Sequence, residues 1–140
     1  DHDKKASKKA IETAQATFIY DKEHALDEML TTGGTNVSGG QKQRILIARA
    51  LEANPGILIL DDASSALDYQ TDQKLREALR KKYTSVTKVI IAQRVASIKD
   101  ADHIIVLDQG KIIASGTHEY LMETSKDYKA IADHQLGALS

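Results

Sequence analysis

The segment from Asn36 to Arg44, NVSGGQKQR, combines residue types that are suited to binding an anion. Gly39 and Gly40 leave the backbone unshielded, and Ser38 stands three residues before Gln41, the capping-box spacing that begins a helix. A helix that begins in this way presents unpaired N–H groups, a hydroxyl and the positive end of its dipole. The segment therefore predicts a site for an anion such as a phosphate, although an ordinary glycine-rich loop before an amphipathic helix has the same local pattern.

Two carboxylates follow an apolar run further along the chain. Residues 57–60 are Ile-Leu-Ile-Leu, and Asp61 and Asp62 come directly after them. The unbroken apolar run predicts a strand of a parallel sheet that helices cover on both faces. Ligands bind at the carboxyl ends of strands in such sheets, and a carboxylate there can hold Mg²⁺, the usual companion of phosphates. A strand-end aspartate that only caps the next turn is the competing interpretation.

Three segments in this order resemble the nucleotide-binding domain of ATP-binding cassette (ABC) transporters, most closely the exporter branch. VSGGQ at 37–41 is similar to the signature motif, ILILDD at 57–62 to the Walker B motif, and SSALD at 64–68 to the D-loop. The resemblance covers essentially the whole chain. It implies that Ser38, Gly39, Gly40 and Gln41 bind ATP held by a second cassette, and that Asp61 holds Mg²⁺.

The D-loop of this family crosses between the two cassettes of a dimer, so the resemblance implies that Ser65 and Asp68 also contribute to nucleotide binding. Spacing alone makes Asp68 the N-cap of a helix that begins near Thr71, and both roles can hold together.

At two positions the chain departs from the family pattern. Asp62 stands where the family usually has the glutamate that polarises the attacking water, and its side chain is one methylene shorter. Gln93 stands where most members have a histidine that contacts the γ-phosphate, and an amide cannot carry a proton or a positive charge. Both changes affect the same phosphate pocket, so together they predict a weakened hydrolytic site with Asp62 and Gln93 as its catalytic positions.

A phosphate-cradling loop is missing, because no G-x-x-x-x-G-K-[ST] pattern occurs in the sequence. The family's Walker A strand, its Q-loop and its adenine-stacking aromatic are expected N-terminal to residue 1. We therefore expect the chain to be the C-terminal half of a cassette, and the isolated fragment to bind ATP poorly and to be inactive.

Strands and helices alternate along the chain, which predicts an α/β fold. The resemblance implies the C-terminal part of a P-loop NTPase domain, with a mostly parallel sheet flanked by helices. Residues 1–52 are expected to form part of the helical subdomain and residues 53–140 the C-terminal part of the RecA-like ATPase core. The pattern predicts helices at 4–18, 24–30 (a short turn), 38–53, 71–83, 95–99, 117–122 and 128–135, and strands at 57–60, 88–92, 103–107 and 111–115, the last two joined by a turn at 108–110.

The composition restricts the class of protein. With 140 residues, 41% hydrophobic and 28% charged, the length fits one domain with a buried core. The net charge of -1 gives no field that would attract nucleic acid, and no nucleic-acid partner is expected. There is no cysteine, which excludes disulfides and thiolate chemistry.

The resulting hypothesis is an ATPase cassette of a heterodimeric ABC exporter at the cytoplasmic face of a membrane. Its partners are a second cassette and a transmembrane domain, and its substrate is selected by membrane helices outside this chain. Three alternatives stay open: a homodimeric exporter in which Asp62 is the working base, a non-transport ABC ATPase that acts on DNA or ribosomes, and a non-catalytic interaction module.

Overall fold

The structure is a computed structural model that describes residues 2–21 and 37–137. The predicted short turn at 24–30 lies outside these residues. The chain divides into two compact units, Asp1–Ile91 and Ala92–Ser140. The expected boundary between subdomains after residue 52 stays a prediction.

The first unit contains three helices, a short 3₁₀ helix and two strands among its described residues. These are α1 (His2–Thr13), the 3₁₀ helix (Thr17–Asp21), α2 (Gly39–Glu52), β1 (Ile57–Asp61), α3 (Tyr69–Lys82) and β2 (Thr87–Ile91). The two strands pair in parallel, with Ile57 opposite Thr87 and Asp61 opposite Ile91. The predicted parallel α/β arrangement is confirmed in this unit.

The first helix is shorter than the sequence pattern predicts. It ends at Thr13, where the side-chain hydroxyl donates a 2.7 Å hydrogen bond to the Lys9 carbonyl oxygen, and the expected helix extended to Phe18. Gln15 then takes a φ of 58°, a left-handed conformation that no helix continues through. Ala10, Ile11 and Ala14 of this segment are buried.

The core of the first unit lies between its helices and one face of the β1–β2 pair. Leu58 and Leu60 of β1 point into it, and so do the largest buried side chains of the helices, Leu51, Leu75 and Leu79. Fully burying each such leucine contributes about 1.5–3 kcal/mol relative to exposure. This packing fixes the positions of α2, β1 and α3, whose ends carry residues predicted to bind the nucleotide.

The opposite face of β1 and β2 is not covered by the described residues of the unit. Ile57 is 64% exposed and Ile59 is 63% exposed, and Val89 and Ile91 of β2 are exposed on the same pair of strands. The expectation that this strand is buried on both faces is therefore wrong for the described part of the chain, because helices pack against only one side of the pair.

In its described residues, 92–137, the second unit is a β-hairpin with three helices. Its elements are α4 (Val95–Ile98), β3 (Ile104–Asp108), β4 (Lys111–Gly116), α5 (His118–Thr124) and α6 (Lys126–Gly137). The hairpin is antiparallel, and its turn uses positive φ values at Gln109 (45°) and Gly110 (76°). The turn predicted at 108–110 is confirmed, and the parallel pairing of the described strands is confined to β1 and β2.

Candidate functional site

The start of α2 is a complete capping box. Ser38 is the N-cap, and its hydroxyl oxygen accepts a 3.2 Å hydrogen bond from the Gln41 amide. The Gln41 side-chain oxygen accepts a 3.0 Å bond from the Ser38 amide in return. The predicted helix start is therefore confirmed, and the first helical bond runs from the Lys42 amide to the Ser38 carbonyl oxygen at 2.8 Å.

This helix start presents several donors to an approaching anion. Ser38 and Gly39 are exposed, and the first N–H groups of any α-helix have no intrahelical acceptor. The Ser38 hydroxyl accepts from Gln41 and keeps its own hydrogen for donation. Because the helix dipole adds partial positive charge at the same end, the arrangement is suited to phosphate oxygens.

Arg44, one turn into α2, is occupied by contacts inside the unit. Its Nη1 donates to the Gln15 carbonyl oxygen at 2.8 Å and its Nε to the Gly40 carbonyl oxygen at 3.3 Å. The guanidinium also lies 4.7 Å from the centre of the Phe18 ring, within the range of a cation–π contact. Sequence reasoning missed this role, in which Arg44 attaches the first turn of α2 to the end of α1.

Gly40 meets the loop that follows β1. A Cβ atom added at Gly40 would lie 2.9 Å from the Ala66 carbonyl oxygen, closer than real Cβ atoms approach a backbone oxygen. The structure thus brings the start of α2 against the segment that carries Ser65 and Asp68. Only a residue without a side chain allows this approach.

Asp61 and Asp62 occupy the carboxyl end of β1, as the sequence predicts, and both are exposed. Asp61 is the last residue of the strand, opposite Ile91. Asp62 leaves the strand with a φ of 50°, and its amide donates to the Ile91 carbonyl oxygen at 2.8 Å. The left-handed conformation turns the chain sharply at this position.

The loop after Asp62 is held by short-range hydrogen bonds. Both the amide and the hydroxyl of Ser65 donate to the Asp62 carbonyl oxygen, at 3.2 Å and 2.9 Å. The Leu67 amide donates to the Ser64 carbonyl oxygen at 3.1 Å, and the Leu67 side chain is buried in the core. Asp62 and Ser65, two residues predicted to belong to the site, are thereby joined directly.

Asp68 caps α3. Its Oδ1 accepts from the Thr71 amide and its Oδ2 from the Thr71 hydroxyl, both at 2.8 Å. These two bonds favour the ionised carboxylate, so the pKa of Asp68 is lowered from its ordinary value. The predicted N-cap is confirmed, and the helix begins at Tyr69, two residues earlier than expected.

Gln93 belongs to the second unit, where it is exposed and its backbone is held by α6. The Gln135 side chain donates to the Gln93 carbonyl oxygen at 2.8 Å and accepts from the Val95 amide at 2.7 Å. Sequence reasoning missed Gln135, since nothing local connects it to residues forty positions earlier.

The described residues contain no cluster of three or more His, Asp or Glu side chains able to hold a metal ion by themselves. A single exposed carboxylate at Asp61 nevertheless fits Mg²⁺, which is commonly bound through one or two carboxylates together with substrate phosphates. Within residues 2–21 and 37–137, no helix is long and apolar enough to span a bilayer.

The chain is similar in sequence to known proteins. The family model "ABC transporter" matches residues 2–65. The uncharacterized ABC transporter ATP-binding protein YknU of Bacillus subtilis is 47% identical over 127 residues, which covers 90% of this chain and 22% of that protein. An ATP-dependent lipid A-core flippase of Alcanivorax borkumensis is 45% identical over 121 residues, covering 86% and 21%.

A solved structure is similar as well. The structure of a bacterial Atm1-family ABC exporter with ATP bound matches 94% of this chain and 23% of the exporter chain, with a TM-score of 0.86 and 36% identity. The chain belongs to the family of ABC transporter ATP-binding proteins, and its α/β fold is that of part of a P-loop NTPase. It spans about a fifth of the length of the curated relatives that it matches.

Proposed function

We propose that this chain is part of an ATP-hydrolysing cassette of an ABC exporter, located at the cytoplasmic face of a membrane. The relatives support this, since one is named as an ATP-dependent flippase and the similar structure is an exporter with ATP bound. The proposed partners are a transmembrane domain and a second cassette. The transported substrate would be selected outside the residues of this chain.

The observation that carries the proposal is the capping box at Ser38 and Gln41, which opens α2 with exposed donors. In the proposed assembly, Ser38, Gly39, Gly40 and Gln41 bind the terminal phosphate of an ATP molecule held by the second cassette. The serine hydroxyl and the first amides donate to the phosphate oxygens, and Gln41 keeps the serine in place by its reciprocal bond.

Asp61 and Asp62 take different roles in this proposal. Asp61 would hold Mg²⁺, which would balance the charge of the phosphates when ATP is bound. Asp62 orients the attacking water as a general base, a contribution worth roughly 10²–10⁴ in rate when the base is well placed. Its shorter side chain places the carboxylate farther from the water than a glutamate would.

Gln93 should lower the rate of hydrolysis further, because a neutral amide can donate a hydrogen bond but cannot supply positive charge to the γ-phosphate. We therefore assign Asp62 and Gln93 to a degenerate site that binds ATP and hydrolyses it slowly. The start of α2, with its complete capping box, would then bind ATP at the competent site of a second, different cassette. Ser65 and Asp68, on the loop that contacts Gly40, contribute at the same interface.

The test is to introduce, in the intact transporter, the residues that the family usually has at positions 62 and 93. The double substitution Asp62→Glu and Gln93→His should raise ATP hydrolysis at this site by about tenfold or more, since misplacement of about 1 Å can cost on the order of a hundredfold. The single substitutions report which residue limits the rate. The conservative Asp133→Glu, on the exposed surface of α6, is a control for handling and expression.

Two results would count against the proposal in different ways. An unchanged rate in the double variant would favour a homodimeric exporter in which Asp62 is already a competent base. An intact protein that hydrolyses no ATP before or after the substitutions would favour a non-catalytic interaction module.

A further inference from the structure

The loop that follows β1 contacts a buried carboxylate, that of Asp72. Asp72, in the first turn of α3, is 1% exposed. Its Oδ1 accepts a 2.6 Å hydrogen bond from the Ser64 hydroxyl, and its Oδ2 contacts Arg76 Nε at 3.1 Å. Nothing in the sequence singles out Asp72, and it is too deeply buried to meet a nucleotide itself.

The bond between Ser64 and Asp72 is of the strong kind. A hydroxyl that donates to an ionised carboxylate typically lies at 2.5–2.7 Å, and such bonds are roughly twice as strong as neutral ones. Arg76, whose side chain is 18% exposed, supplies the opposite charge that a buried carboxylate requires. Both carboxylate oxygens of Asp72 therefore have a partner, and these contacts fix the position of the carboxylate.

Ser64 connects Asp72 to the loop that follows β1. It lies between Asp62, whose φ of 50° turns the chain out of β1, and Ser65, which bonds back to the Asp62 carbonyl oxygen. The Ser64 carbonyl oxygen also accepts from the Leu67 amide. One residue thus connects the buried carboxylate of α3 with the turn that orients Asp62 and with the segment that contacts Gly40.

We infer that Asp72 is a positioning residue for ATP hydrolysis, which acts through Ser64 to hold the loop carrying Asp62 and Ser65 in its working conformation. The inference rests on the proposed function. If Asp72 stabilised only α3, loss of the Ser64 hydroxyl would lower the stability of the protein without a specific effect on turnover.

The test uses the intact transporter and the steady-state kinetics of ATP hydrolysis. Ser64→Ala should lower kcat about tenfold, because the displaced loop carries Ser65 and Asp68, which are proposed to contribute at the interface with the competent site. KM for ATP should stay within about twofold, because the nucleotide-binding donors at the start of α2 remain. Ser64→Thr keeps the hydroxyl and should restore most of kcat. Adding Asp72→Asn to Ser64→Ala should produce no further loss, since both changes break the same connection.

A matched control removes a different serine–carboxylate hydrogen bond of the same unit. The Ser7 hydroxyl donates to the Glu52 carboxylate on an exposed surface, and Ser7→Ala should leave kcat at the unsubstituted value. Hydrogen exchange of the intact protein gives a readout apart from activity: the amides of Ser65 and Leu67 should exchange faster in Ser64→Ala, whereas those of α3 should be unchanged.

The results that overturn the inference are distinct from those that overturn the proposed function. An active transporter in which Ser64→Ala leaves kcat unchanged, or in which Ser64→Thr fails to restore it, would refute the positioning role alone. Absence of ATP hydrolysis in the unsubstituted intact protein would refute the proposed function, and the inference with it.

Discussion

Gly40 and Ala66 meet backbone to backbone, so that a Cβ on Gly40 would lie 2.9 Å from the Ala66 carbonyl oxygen. This contact joins two segments separated in sequence by β1, and both carry residues of the proposed nucleotide site. The start of α2 and the loop after β1 therefore form one surface of the first unit.

Gly40→Ala should accordingly destabilise the protein, because a side chain forced against a backbone oxygen typically costs about 1–3 kcal/mol. We expect a lower midpoint of thermal unfolding. The matched variant is Gly39→Ala, where an added Cβ meets no atom within 4 Å and should cause no loss of stability. Equal destabilisation by both substitutions would show that the close approach to Ala66 is not what Gly40 provides.

Ser38→Ala should lower both stability and ATP hydrolysis. Loss of an N-cap typically costs about 1 kcal/mol, and here the hydroxyl proposed to donate to phosphate disappears as well. Thr117→Ala removes the N-cap of α5, whose hydroxyl accepts from the Tyr120 amide at 3.2 Å, at a similar cost in stability. Because Thr117 is not among the proposed phosphate-binding groups, only Ser38→Ala should lower kcat of the intact transporter.

The contribution of Asp68 to stability should depend on pH in a defined direction. Its pKa is lowered in the folded protein by the Thr71 amide and hydroxyl, so the ionised form stabilises the fold above the ordinary value of 3.8. This contribution is lost as pH falls through the folded-state pKa. The stability difference between the unsubstituted protein and Asp68→Asn should therefore be present at pH 7 and shrink in that acidic range.

Thr71→Val provides the complementary measurement for this carboxyl group. It removes the hydroxyl bond and keeps the amide bond, so the pKa of Asp68 should move part of the way back toward 3.8. An NMR titration of the Asp68 side chain measures this directly. A pKa unaffected by the substitution would mean that the hydroxyl does not stabilise the carboxylate.

Gln135→Ala should loosen the segment from Gln93 to Val95, since it removes the side-chain groups that donate to the Gln93 carbonyl oxygen and accept from the Val95 amide. A backbone amide left without its partner typically costs about 1–3 kcal/mol when buried, and this site is partly exposed, so we expect the lower end. Gln73→Ala, on the exposed face of α3, is the control and should change stability little. Amide exchange at Val95 provides the local measurement.

Local features of the site could be predicted from the sequence, because their partners are close along the chain. The capping box of Ser38 and Gln41 and the N-cap at Asp68 each join residues three positions apart. The hairpin turn before β4 likewise follows from Gln109 and Gly110, which adopt the positive φ values of a tight turn.

Features that depend on tertiary contacts could not be predicted. Arg44 bonds to Gln15 across 29 positions and Gln135 to Val95 across 40, and no local pattern specifies such pairs. The burial of Asp72 is also hidden, because an aspartate in the first turn of a helix is ordinarily a solvent-exposed partner of the dipole. Burial of β1 on both faces was expected from its composition, and the composition alone does not say which face the helices cover.

The central claim is that the start of α2 binds the terminal phosphate of a nucleotide held by a second cassette. A structure of the ATP-bound pair of cassettes tests it most directly, through the distances from Ser38 Oγ and the Gly39 and Gly40 amides to the γ-phosphate oxygens. We predict hydrogen-bond distances of about 2.7–3.2 Å for these donors. Donors that face solvent, with the triphosphate bound elsewhere, would contradict the account.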